Sequence, residues 1–86
     1  MNSNKQNGKT AIVTGSARGI GAAVAERLGK DGFAVVVNYS GSAADAEAEV
    51  AKIKDAGAPA IAVRADVSDP AAVKHLFDEA TAAFGG

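Results

Sequence analysis

Three glycines, Gly15, Gly19 and Gly21, stand within seven residues of each other and share that stretch with Ser16, Arg18 and Ile20. Glycines so spaced let a backbone turn tightly and approach a ligand with no Cβ in the way. The chemistry that suits such a loop is the grip of a diphosphate. A helix opening directly after the loop presents unpaired N–H groups and about half a positive charge, and anions collect there. In this reading Gly15 turns the chain out of a strand, Gly19 lets the backbone close on phosphates, and Gly21 lets the helix lie against the sheet. The spacing G-x-x-x-G-x-G differs from the commoner dinucleotide pattern G-x-G-x-x-G.

The flanks supply the elements that such a loop needs. Ala11-Ile12-Val13-Thr14 is a short apolar run ahead of it. Behind it, Ile20, Ala23, Val24, Arg27 and Leu28 recur at helical spacing, which predicts a helix over 19–30 with this stripe as its inner face and Gly32 as its end. Gly29 weakens that helix's last turn. Phe33 to Asn38 is a continuous apolar run rich in valine, as expected of a strand covered on both faces of a parallel sheet. Tyr39 to Ser42 reads as a loop. Ser42 is a suitable N-cap, with Asp45 three residues on as an approximate capping box. A second helix follows, with Ala43, Ala46, Val50 and Ile53 inward and the charges, Glu49 among them, on a solvated face. Gly57 and Pro59 end it. Ala60 to Ala65 is the third strand. Asp69-Pro70 opens a third helix, whose expected inner stripe is Val73, Leu76, Phe77, Ala80 and Phe84, before Gly85-Gly86.

The order is β-α-β-α-β-α, which implies an α/β fold with a parallel sheet, the first half of a Rossmann-type doubly wound domain. The first two helices belong on one face. With no fourth strand beside the first, the sheet is expected to keep an open edge and a thinly covered face, so residues 9–86 read as an incomplete domain that needs a following segment or a partner chain. Residues 1–8 read as a disordered polar lead-in.

The totals narrow the field. Eighty-six residues allow one domain. A net charge of −1 with 22% charged residues gives no basic footprint for nucleic acid. With no cysteine there is neither a disulfide framework nor a thiolate metal site, and no metal is expected. The polar start lacks the apolar core of a signal peptide, and no run reaches membrane-spanning length. A soluble, cytoplasmic protein is expected.

Thr14-Gly15-Ser16-Ala17-Arg18-Gly19-Ile20-Gly21 resembles the T-G-x-x-x-G-I-G signature of the short-chain dehydrogenase/reductase family. Asp66-Val67 looks like that family's adenine-contacting pair, and Phe84-Gly85-Gly86 like the lead-in to its fourth strand. The resemblance runs from Lys9 onward. Within the family the wording is most similar to 3-oxoacyl-carrier-protein reductases and glucose dehydrogenase-like members. It implies hydride transfer between a nicotinamide and a carbonyl or alcohol substrate, in a homo-oligomer, a tetramer by resemblance. The family's catalytic serine and Y-x-x-x-K pair lie in later segments. The only tyrosine here is Tyr39, and position 43 is alanine, so no residue of this chain is assigned a catalytic role. A non-catalytic sensor module and an inactive structural fragment are the alternative readings.

The cofactor expected is NADP(H). NAD-preferring folds place an acid at the end of the second strand. Here that strand ends Asn38-Tyr39-Ser40, and no acid occurs between Asp31 and Asp45. Arg18 sits where NADP-preferring relatives often carry a basic residue, and a guanidinium fork suits a phosphate. The alternative reading of the same arginine, a solvent-facing loop residue, is the weaker one. The expected site is Gly15, Ser16, Arg18, Gly19, Ile20 and Gly21 on the phosphates, Asn38, Tyr39 and Ser40 around the adenosine ribose, and Asp66 and Val67 on the adenine. His75 reads as a solvated helix residue.

Overall fold

The computed structural model describes residues 8–85; the expected disordered lead-in, residues 1–8, lies outside the described residues except for Gly8. Three parallel strands, β1 (Thr10–Val13), β2 (Ala34–Tyr39) and β3 (Ala60–Arg64), form one sheet in the order β1-β2-β3. The helices α1 (Gly19–Lys30), α2 (Ala43–Asp55) and α3 (Pro70–Phe84) alternate with them. Val13 registers with Val37, and Tyr39 with Arg64. Tyr39 is therefore the last residue of β2 and not the first of the loop, while Ala65 falls just past β3.

The sheet is covered on both faces. Val35 and Val37 of β2 pack with Ala25 of α1 and with Ala46, Val50 and Ile53 of α2. Val36 points the other way, toward Leu76 and Ala80 of α3. This is why β2, the middle strand, is apolar at every position from Ala34 to Val37 instead of at alternate ones. The caps fall where their residue types put them. The Ser42 Oγ accepts from the Asp45 N–H at 3.2 Å, and Asp69 Oδ1 accepts from the Ala71 N–H at 3.0 Å with Pro70 in the first turn.

Three expectations need correction. The buried residues of α1 are Ala22, Ala25 and Gly29, with Leu28 of the expected stripe packed partly buried against the core; Ile20 is 85% exposed, and Val24 is exposed too. At Gly29 the helix lies so close to its neighbours that a side chain has no room. A Cβ on Gly29 would stand 3.0 Å from Ile53 Cγ2 and 3.2 Å from Ala58 Cβ. That contact is the reason for a glycine in a helical turn, despite its cost of about 1 kcal/mol. On α3, Leu76 and Ala80 are buried, but Phe77 falls off the stripe and is 57% exposed. On α2, Glu49 is not solvated: it lies on the buried face with Ala46, Val50 and Ile53, only 3% exposed.

Candidate functional site

The C-terminal ends of the three parallel strands and the N-terminal ends of the helices meet at one edge of the molecule, where open α/β sheets bind ligands. The loop from Thr14 to Arg18 occupies that edge between β1 and α1. Gly15 has φ +59° and Gly19 φ +64°, both in the left-handed region. A Cβ added to either meets nothing within 4 Å. The bare side of each turn therefore faces open space, which is the room a phosphate needs. Gly21 faces the opposite way. A Cβ there would strike the Gly15 carbonyl oxygen and come within 3.0 Å of the Gly15 carbonyl carbon and Ser16 Cα. Gly21 is what lets α1 close against its own loop.

Two buried side chains shape the loop from behind. Ser16 is fully buried, and its hydroxyl donates to the Val13 carbonyl at 2.6 Å. Asn38, 2% exposed, is used on every side. Its Nδ2 donates to the carbonyls of Val63 at 3.3 Å and Ala65 at 3.1 Å, and its Oδ1 accepts from the Gly15 N–H at 3.4 Å. Its own carbonyl accepts from the Ser16 N–H at 3.0 Å. Asn38 thus ties the end of β2 to β3 and to the glycine loop. Placed there, neither the Ser16 nor the Asn38 side chain reaches the open face where the phosphates and ribose were expected. Both position the backbone that does.

The open face itself is a pocket of about 270 Å³ lined by Gly15, Ala17, Arg18, Tyr39, Ser40, Gly41, Ser42 and Asp45. Arg18, Tyr39 and Ser40 come together in it. Arg18 is the N-cap of α1, and its side chain makes no cap hydrogen bond, so the first-turn N–H groups are left to other acceptors. Its Nε instead lies 2.9 Å from Asp45 Oδ2, on the first turn of α2. The Asp45 carboxylate therefore does not serve α2 as a capping-box partner. Gly19, Ile20 and Gly21 form the first turn of α1 beside this pocket.

Asp66 and Val67 lie in the β3–α3 loop at the same edge of the sheet, held near the end of β2 by the Ala65 N–H, which donates to the Tyr39 carbonyl at 2.9 Å. Neither lines the Arg18 pocket. Asp66 Oδ1 accepts from the Ser68 N–H at 2.9 Å and from the Ser68 hydroxyl at 2.7 Å, and the hydroxyl bond above all holds its carboxyl below the usual carboxylate range. Its negative charge and the shape of the loop are thus locked together. His75 is exposed on α3. Among the described residues no group of three or more His, Cys, Asp or Glu could hold a metal ion, and no helix is long and apolar enough to cross a membrane.

Residue types alone do not mark Asp45, Ala17, Gly41 and Ser42 as pocket walls. Asp45 left one usable signal: an acid in the first turn of the helix that follows β2 projects toward the same edge as the glycine loop.

The family model described as short chain dehydrogenase matches residues 9–86. The chain is 55% identical over 78 residues to short chain dehydrogenase claC of Passalora fulva, covering 91% of this chain and 29% of the relative. It is 54% identical over 78 residues to versicolorin reductase stcU of Emericella nidulans, covering 91% and 30%. A short chain dehydrogenase of Burkholderia cenocepacia J2315, solved in complex with NADP, superposes with a TM-score of 0.88 at 49% identity, covering 99% of this chain and 34% of that one. The chain spans about a third of the length of these relatives.

Proposed function

The chain belongs to the short chain dehydrogenase family, and from that premise we propose that it forms the NADP(H)-binding part of an oxidoreductase acting on a carbonyl or alcohol substrate. When bound, the nicotinamide supplies or accepts the hydride. The residues of this chain bind and orient the dinucleotide. Gly15, Gly19, Ile20 and Gly21 offer the diphosphate a bare backbone and the positive end of α1, with Ser16 and Asn38 bracing the turn behind them. Arg18 and Ser40 receive the 2′-phosphate, and Tyr39 borders the adenosine ribose. Asp66 and Val67 border the adenine. None of these side chains is assigned a proton-transfer step.

The observation that carries this reading is the pairing of Gly15 and Gly19, bare toward open space, with an arginine in a pocket where the end of β2 supplies no acid. A neutral β2 terminus removes the repulsion that an acid would impose on a 2′-phosphate, and a guanidinium adds attraction. The NADP-bound Burkholderia structure, so similar over this segment, supports the same choice. The test is fluorescence titration of the complete protein with NADPH and NADH. Arg18→Glu is expected to weaken NADPH by roughly 10- to 100-fold while leaving NADH within about threefold, the ratio expected of a lost charge contact. Equal loss for both cofactors would remove Arg18 from the 2′-phosphate site.

A further inference from the structure

The pocket holds one cation and one anion, and they are engaged with each other. Arg18 Nε stands 2.9 Å from Asp45 Oδ2. The two are unequally anchored. Asp45 sits on the first turn of α2, behind the Ser42 cap, with 40% of its side chain exposed, whereas 79% of the Arg18 side chain is exposed. The other pocket walls are glycine, alanine, serine and tyrosine, so nothing else there carries a formal charge.

On the reading that Arg18 meets the 2′-phosphate, we infer that Asp45 sets the cofactor preference of the site by competing with that phosphate for the arginine. A 2′-phosphate carries nearly two negative charges at neutral pH. It must draw the guanidinium away from Asp45 and then stand a few ångströms from a fixed carboxylate. Both effects fall on NADP(H), and neither falls on NAD(H), whose ribose is neutral at that position. Asp45 therefore narrows a preference that Arg18 creates, although it lies seven residues past Asn38 and outside the strand end where such acids are usually sought. The helix explains how the acid is tolerated: a carboxylate in the first turn of α2 is favoured by the dipole of that helix.

The test is Asp45→Asn in the complete protein, with dissociation constants measured for NADPH, NADH, 2′,5′-ADP and 5′-AMP at low salt. Removing a like charge at this distance in a solvent-exposed pocket is expected to tighten NADPH and 2′,5′-ADP by about 5- to 30-fold, with NADH and 5′-AMP unchanged within about twofold. The gain shrinks severalfold in 0.5 M salt, because the charges are exposed. It also shrinks in an Arg18→Ala background, where no guanidinium is left to compete for. Asp45→Ser, which keeps a polar first-turn side chain on α2, gives the same gain and guards against an effect of helix fraying. An unchanged or weakened NADPH affinity in both variants overturns the inference. If Arg18→Glu selectively loses NADPH while the Asp45 variants gain nothing, Asp45 alone has been misread. If Arg18→Glu spares NADPH, it is the 2′-phosphate assignment that fails.

Discussion

Glu49 makes a measurable demand on the fold. It lies on the buried face of α2 beside Glu26 of α1, 3% exposed, and its Oε2 is buried without a hydrogen-bond partner. Burial above all, then a hydrogen bond with Glu26 of α1 and the charge of that residue, push its carboxyl up to about 7, against a smaller opposing pull from Lys52. The native state thus keeps a proton that the unfolded chain releases near pH 4.5. Stability from this source is complete below that value and is lost as pH rises through about 7. A shift of this size is worth about 3 kcal/mol at full ionisation. Glu49→Gln replaces the protonated carboxyl with a neutral amide of the same shape that can still donate to Glu26. The variant is expected to match the parent at pH 5 and to exceed it by about 1–3 kcal/mol at pH 8, or roughly 3–10 °C in Tm for a protein of family length. Asp66 titrates in the opposite sense, its carboxyl being held low, so its effect is confined to acid below this window. Calorimetric or circular-dichroism melts of the complete protein and of Glu49→Gln, taken from pH 5 to pH 8, provide the check. Parallel curves for the two proteins across that range, or a variant less stable at pH 8, would refute the account of a proton held between α1 and α2.

Two further perturbations separate the loop's bare backbone from the side chains that brace it. Gly21→Val forces its Cβ into the Gly15 carbonyl. It is expected to cost about 1–3 kcal/mol in overpacking and to abolish NADPH binding, read by denaturant midpoint and by titration. A fully stable, fully binding variant would show that α1 does not close on its loop in this way. Asn38→Asp keeps an acceptor for the Gly15 N–H but cannot donate to the Val63 and Ala65 carbonyls. Unfolding experiments should show a loss of about 2–4 kcal/mol, because a charge is then buried against two oxygens. A variant that loses only cofactor affinity, with stability intact, would mean that Asn38 meets the ligand directly.

What could be read from residue types was the punctuation. Gly15 and Gly19 stand where φ is positive, Ser42 and Asp69 cap their helices, and the unbroken valines of β2 lie between two covered faces. What could not be read was which residue touches which. Helical periodicity marks Ile20, Val24 and Leu28 as part of the inner stripe of α1, yet the buried positions are Ala22, Ala25 and Gly29 while Ile20 and Val24 face solvent, and how closely Gly29 approaches Ile53 and Ala58 is a property of the packed layers. The charge of Glu49 points to solvent, whereas its place on α2 puts it inward and its proton makes that tolerable. Asn38 sits at the strand end expected to meet a ribose, but its amide is consumed by neighbours 23 to 27 residues away in the chain, bonds that exist only once the strands are aligned. The Arg18–Asp45 pair likewise joins the start of α1 to the first turn of α2, which only the sheet brings together.

The most direct measurement is a crystal structure of the complete protein grown with NADP. The diphosphate is expected against the N–H groups of Gly19, Ile20 and Gly21, at roughly 2.7–3.2 Å, with the 2′-phosphate on Arg18. A nucleotide bound elsewhere, with the turn between β1 and α1 left to solvent, would contradict the account.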